Sequence, residues 1–80
     1  MEILIGEKTI EEYVEQAKAE LEKEAVKIIG KGRDTVKAVD VAELLKEKGA
    51  SVKSISIETE ETTENDKTHR TSVIKIELCK

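Results

Sequence analysis

Apolar residues recur along this chain with two different periods, and the changes of period divide it into six segments. Glu2-Ile3-Leu4-Ile5 is a short apolar run stopped by Gly6, which predicts a buried strand and a turn. From Ile10 the spacing is helical, with Ile10, Tyr13, Val14, Ala17 and Leu21 on one stripe. Thr9 and Glu12 stand at capping-box spacing, in which the hydroxyl serves a free N–H of the first turn and the carboxylate reaches back to the cap. Ala25 to Ile29 is rich in β-branched residues and predicts a second strand, broken by Gly30-Lys31-Gly32-Arg33 before a second helix. Asp34 is the expected N-cap of that helix.

The second helix carries more apolar surface than one sheet contact needs. Ala38, Val41, Ala42 and Leu45 form its inward stripe, while Val36, Val39 and Leu44 widen the apolar area, so a partner subunit is expected to cover the excess. Gly49, just after Lys46 and Lys48, is the expected stop, because glycine accepts the left-handed conformation beyond a helix end and lysines complement the carbonyl terminus. From Ser51 the period changes to two. Ile55 and Ile57 mark one strand and Ile74, Ile76 and Leu78 the last, joined by a polar stretch centred on Asn65-Asp66, which predicts a hairpin. No large apolar side chain lies between Glu58 and Arg70, so the outer half of this hairpin has nothing to bury and is expected to project into solvent as an arm or to be disordered at its tip.

Composition sharpens this picture. With 80 residues only one hydrophobic core can close, so a single domain over residues 1–80 is expected. Tyr13 is the one aromatic side chain, which leaves a thin aliphatic core that oligomerisation would reinforce. Charged residues make up 40% of the chain, and side-chain amides are confined to Gln16 and Asn65, a mixture shared by thermophilic proteins and by highly soluble or designed domains. The lone Cys79 cannot form an internal disulfide and points to a reducing compartment, and no basic leader or apolar stretch near the roughly 18 residues of a membrane span is present, so a cytoplasmic location is expected.

The net charge of −4 argues against a general affinity for phosphate backbones, but its distribution is uneven. Residues 25–57 carry seven bases and four acids, between two flanking segments in which acids prevail. Any anion-binding surface is therefore expected to centre on the middle of the chain. There, Gly30-Lys31-Gly32-Arg33 could hold a phosphate against the N-terminus of the second helix, although glycines before a helix are more often simple turn residues and an Asp34 cap would compete for the same donors. His69 and Cys79 have no companions at metal-ligand spacing, and the acids of the arm do not follow an EF-hand pattern. No nucleophile, base and orienter occur together, so neither an enzyme nor a cofactor is expected.

At this point the chain resembles the Alba family of archaeal DNA- and RNA-binding chromatin proteins. Ile3-Leu4-Ile5-Gly6-Glu7-Lys8 followed by Glu12-Tyr13-Val14 is similar to the family's first strand, lysine-rich turn and Tyr-Val helix. Gly30-Lys31-Gly32-Arg33 running on to Lys37-Ala38-Val39-Asp40 resembles its basic-Gly-Arg loop and following helix, and the final hairpin agrees in length. The resemblance implies an α+β fold of order β-α-β-α-β-β: a mixed four-stranded sheet, two helices packed on one face, and a protruding hairpin of the third and fourth strands, similar to the C-terminal domain of bacterial initiation factor three. It also implies a homodimer that lies on the backbone of DNA or RNA through Lys8, Lys31, Arg33, Lys37, Lys67 and Arg70.

Several positions depart from that pattern. Glu7 stands where the family has a lysine, Thr9 replaces a proline, and Gly49-Ala50 occupy the place of an aromatic used between dimers. The arm carries Glu58, Glu60, Glu61, Glu64 and Asp66 against Lys67 and Arg70. The expectation is a sequence-independent nucleic-acid-binding dimer, weaker and more salt-sensitive than basic members because fewer phosphates are neutralised. The alternative is a dimer that has lost such binding and serves as a protein-interaction or structural module.

Overall fold

The computed structural model describes residues 1–80. Its elements are β1 (Glu2–Leu4), α1 (Ile10–Leu21), β2 (Val26–Lys31), α2 (Asp34–Glu47), β3 (Ser51–Glu64) and β4 (Lys67–Cys79). The sheet runs β1-β2-β4-β3, with β1 parallel to β2 and the other neighbours antiparallel. Parallel neighbours need a crossover, and α1 supplies it between β1 and β2. The long β3–β4 hairpin then places β4 in the middle of the sheet and β3 at its edge.

Strand alternation explains the single core. Val26 and Ile28 of β2 and Ile74, Ile76 and Leu78 of β4 turn to the helical side, where they meet Tyr13, Val14, Ala17 and Leu21 of α1 and Ala38, Val41, Ala42 and Leu45 of α2. Both predicted inward stripes are thus buried, except Ile10 at the start of α1, which is half-buried against the core. β1 departs from the reading as a fully buried strand: Ile3 and Ile5 point inward, but Leu4 lies on the opposite face at 61% exposure, because β1 is an edge strand covered on one side only. Ile5 falls just outside the strand, though its N–H still bonds the Ile29 carbonyl at 2.8 Å.

Local signals account for most of the boundaries. Thr9 caps α1, its Oγ1 accepting from the Glu12 N–H at 3.2 Å. Gly49 ends α2 with φ of +105°, while the N–H groups of Lys48, Gly49 and Ala50 return to carbonyls of the last turn. At the start of α2 the reading is corrected. β2 continues through Gly30 to Lys31, and Asp34 is already the first helical residue, so the cap position falls to Arg33, whose side chain makes no capping bond. The strand runs on because Gly30 lets the first turn of α2 rest directly on it: a Cβ at Gly30 would lie 2.6 Å from the Asp34 carbonyl oxygen and 2.7 Å from Ala38 Cβ. Gly32, at φ +56°, then turns the chain into the helix.

The arm is an ordered hairpin up to its tip. Asn65 and Asp66 have φ of 50° and 63°, the paired left-handed residues of a two-residue type I′ turn, and pairing is continuous from Glu64↔Lys67 inward. Every residue from Glu58 to Arg70 is exposed, and the arm stretches the molecule to 46 × 23 × 18 Å. At the other end of the sheet, Lys80 Nζ lies 2.6 Å from Glu22 Oε2, and this hydrogen-bonded ammonium holds the Glu22 carboxyl below the ordinary glutamate range.

Candidate nucleic-acid interface

The N-terminal end of α2 is where cations and free donors come together. Arg33 is exposed, makes no ion pair and holds the cap position without a side-chain cap; of the first-turn N–H groups, that of Thr35 already donates to the Gly32 carbonyl at 3.2 Å, and none has a side-chain acceptor. Lys37 follows one turn later, and its Nζ reaches across to the β1–α1 loop, donating to the Gly6 carbonyl at 2.9 Å. That bond places the loop bearing Glu7 and Lys8 beside the start of α2. Lys8 is exposed and unpaired, with the exposed Glu7 next to it.

The other three predicted cations are not part of this cluster. By alternation along β2, Lys31 lies on the face of the sheet away from the helices, opposite Val73 and near the arm, where its Nζ is 3.3 Å from Glu60 Oε1. Arg70 belongs to the row of Ile57 and Ile74 on the helical side, and its Nε is 3.2 Å from Glu61 Oε1. Lys67 closes the arm at the turn, on the same face as Lys31, and forms no ion pair. Of six predicted contacts, Lys8, Arg33 and Lys67 are therefore unpaired, Lys31 and Arg70 are engaged by arm glutamates, and Lys37 is bonded to backbone. Both of these ion pairs are exposed, so each is worth only about 0 to 1 kcal/mol and gives way to a stronger anion.

The helical stripe places Tyr13 in the core, and the structure adds a polar end that the stripe does not reveal. Its hydroxyl accepts the Gly6 N–H at 2.6 Å and lies 3.4 Å from the Lys8 N, and its ring centroid is 5.6 Å from Lys37 Nζ. The signal was available, since a buried tyrosine hydroxyl needs a partner. Charge alternation on the open face of the sheet was likewise unseen, including Lys75 3.3 Å from Glu58 beside the Lys31–Glu60 pair.

A second surface flanks α2 on the helical side. Val36, Ile55 and Ile57 stand 68%, 59% and 73% exposed, and a cleft of about 200 Å³ runs between Thr35, Val36 and Val39 of α2 and Ile57, Ser72 and Ile74 of the sheet. Of the excess apolar surface predicted on α2, Val36 and Val39 are exposed while Leu44 packs half-buried against the core, and the sheet extends the exposed part, because α2 leaves β3 uncovered. No helix is long and apolar enough to cross a membrane.

A mixed four-stranded sheet with two helices on one face, a projecting two-stranded arm and cations at one helix entrance defines a small α+β binding fold. The chain belongs to the Alba family: the family model matches residues 1–64. Its fold matches Alba from Thermoplasma volcanium with a TM-score of 0.84 at 26% identity, covering 100% of both chains. No curated protein matches the chain. Alba-family proteins are non-catalytic nucleic-acid-binding proteins, and the chain is accordingly not an enzyme.

Proposed function

We propose that this protein binds the phosphate backbone of DNA or structured RNA without regard to sequence, as a homodimer. The observation that carries this reading is the uncapped start of α2 with the unpaired Arg33 upon it, which supplies N–H donors, a favourable dipole and a guanidinium at one place. Lys8 extends the site on one side, and Lys67 reaches out on the arm. Lys31 and Arg70 are held by Glu60 and Glu61, so each must give up a carboxylate before it can meet a phosphate and is not counted among the free contacts. Tyr13 is buried and no Trp or Phe is present, so the lone exposed ring is the His69 imidazole on the arm, too little for a stacking platform along single-stranded bases; this favours duplexes.

Binding weaker than that of basic relatives, and lost at lower salt, follows from the number of unpaired cations. Three per protomer make six in a dimer, and at about 0.9 counterions per phosphate the slope of log affinity against log salt is expected near −5; all six predicted contacts on both protomers would bring it to about −11. Fluorescence anisotropy of a duplex, titrated from about 20 mM salt upward, measures it. A wild type with no affinity at 20 mM salt rejects the proposal. The rival reading, a dimer without nucleic-acid binding, is favoured by Glu7 beside Lys8, and it predicts that Glu7→Lys creates an affinity the wild type lacks.

The dimer is supported by the apolar surface between α2 and β3, since isoleucines and valines left in water on so thin a core are what a second copy would cover. Ile57→Glu is expected to convert the dimer to an 8.9 kDa monomer in sedimentation equilibrium while leaving the exposed strand folded. A wild type that sediments at monomer mass at tens of micromolar rejects this interface.

A further inference from the structure

Gly6 is gripped from two helices at once. Its N–H donates to the Tyr13 hydroxyl of α1 at 2.6 Å, and its carbonyl accepts from Lys37 Nζ of α2 at 2.9 Å. The same hydroxyl lies 3.4 Å from the Lys8 N, and the Lys37 ammonium packs 5.6 Å from the tyrosine ring centroid, within cation–π range. Tyr13 is buried and Lys37 half-buried, so this constellation faces the loop and not the solvent. An ammonium group has three donors, and here one is committed to a backbone carbonyl while the aromatic face takes up part of its charge.

The geometry points to Lys37 as a positioning residue that, with Tyr13, clamps the β1–α1 loop onto α2 and thereby fixes the place of Lys8 relative to that helix. The Lys37 ammonium is held between the Gly6 carbonyl and the Tyr13 ring, so its role is to position the loop and not to meet a phosphate directly. The clamp joins the β1–α1 loop both to Tyr13, a few residues further along the chain, and to Lys37, 31 residues from Gly6. Without it the loop has no side-chain tether to α2, and Lys8 must be ordered at the moment of binding. The inference rests on the reading of Lys8 and Arg33 as phosphate contacts, but the clamp itself exists in the free protein and can be tested there.

The experiment compares Tyr13→Phe, Lys37→Met, Lys37→Arg, Lys8→Gln and the Lys8→Gln/Lys37→Met pair. In the free protein, Tyr13→Phe and Lys37→Met are each expected to speed amide exchange at Gly6 or Lys8 by about tenfold or more, with the amides of α2 beyond its first turn unchanged as the control for folding. Lys37→Arg, which keeps a donor and a cation over the ring, restores the slow exchange. On duplex DNA, Lys37→Met weakens binding several-fold alone and adds nothing in the Lys8→Gln background, because it acts through Lys8. Losses that multiply in the pair, with one step down in salt slope per protomer for each substitution, make Lys37 a direct contact and overturn the inference. Unchanged exchange at Gly6 and Lys8 in Lys37→Met overturns it as well. A wild type that ignores duplex rejects the functional reading alone, and the exchange data then still decide the clamp.

Discussion

Gly30→Ala is expected to destabilise the protein by about 3 kcal/mol, the upper part of the range for overpacking a tight contact. The reason is the approach of α2 to β2 at this residue. A Cβ would stand 2.6 Å from the Asp34 carbonyl oxygen and 2.7 Å from Ala38 Cβ, and the first of these is helix backbone that cannot rotate away. Relief requires α2 to lift from the sheet at its N-terminal end, which loosens Ala38 in the core and carries Arg33 and Lys37 with it. Gly32→Ala provides the contrast. At φ +56° it strains the backbone by about 1 to 2 kcal/mol, but a Cβ there meets only Thr71 Cγ2 at 3.7 Å, so the helix need not move. In thermal melts at one protein concentration, the Gly30 variant should therefore lose roughly 12 to 24 °C. A Gly30→Ala protein melting with or above Gly32→Ala would mean that α2 does not rest on β2 in this way.

Gly30 also shows where reading the chain met its limit. The glycine was visible in the sequence, but as a strand breaker; its purpose is close packing within a strand that continues to Lys31. A pattern of residue types records that a small residue is needed and is silent on whether a turn or a neighbouring helix needs it. The same ambiguity misplaced the helix cap onto Asp34, since an aspartate just inside a helix favours the dipole as well as one at the cap does. Elements whose signals were redundant were legible: Thr9 with its helical stripe, Gly49 after two lysines, and the arm, where the lack of apolar residues and the Asn65-Asp66 turn agree.

The site was legible as a set of residues but not as an arrangement. Lys31 and Arg33 are two positions apart, yet the strand ends between them, so one side chain follows the sheet to its open face and the other stands at the helix entrance. Pairing across the arm was in part deducible. A two-residue turn at Asn65-Asp66 sets Glu64 opposite Lys67 and hence Glu61 opposite Arg70, an acid and a base directly across two strands. The Lys31–Glu60 pair was not, because it depends on β4 lying between β2 and β3, a fact of topology that no local pattern carries.

This division makes Arg33 the position at which binding should be lost most completely. Arg33→Glu is expected to weaken duplex binding at 20 mM salt by at least about a hundredfold. A charge-assisted contact is worth about 1.5 to 3 kcal/mol, a C2 dimer loses two of them, and each 1.4 kcal/mol is tenfold in affinity. The introduced carboxylate also stands at the positive end of the α2 dipole, where it repels an incoming phosphate and offsets the field that would attract it. For the same reason the substitution should leave stability unchanged or slightly raised, which separates loss of the site from loss of the fold. Arg33→Gln removes the contact without the added charge and should be intermediate, with the salt slope of the dimer reduced by about two. Lys67→Gln, at the tip of an arm dominated by glutamates, should cost far less. Affinity in the Arg33→Glu protein within twofold of wild type, at unaltered stability, would place the nucleic acid elsewhere on the surface.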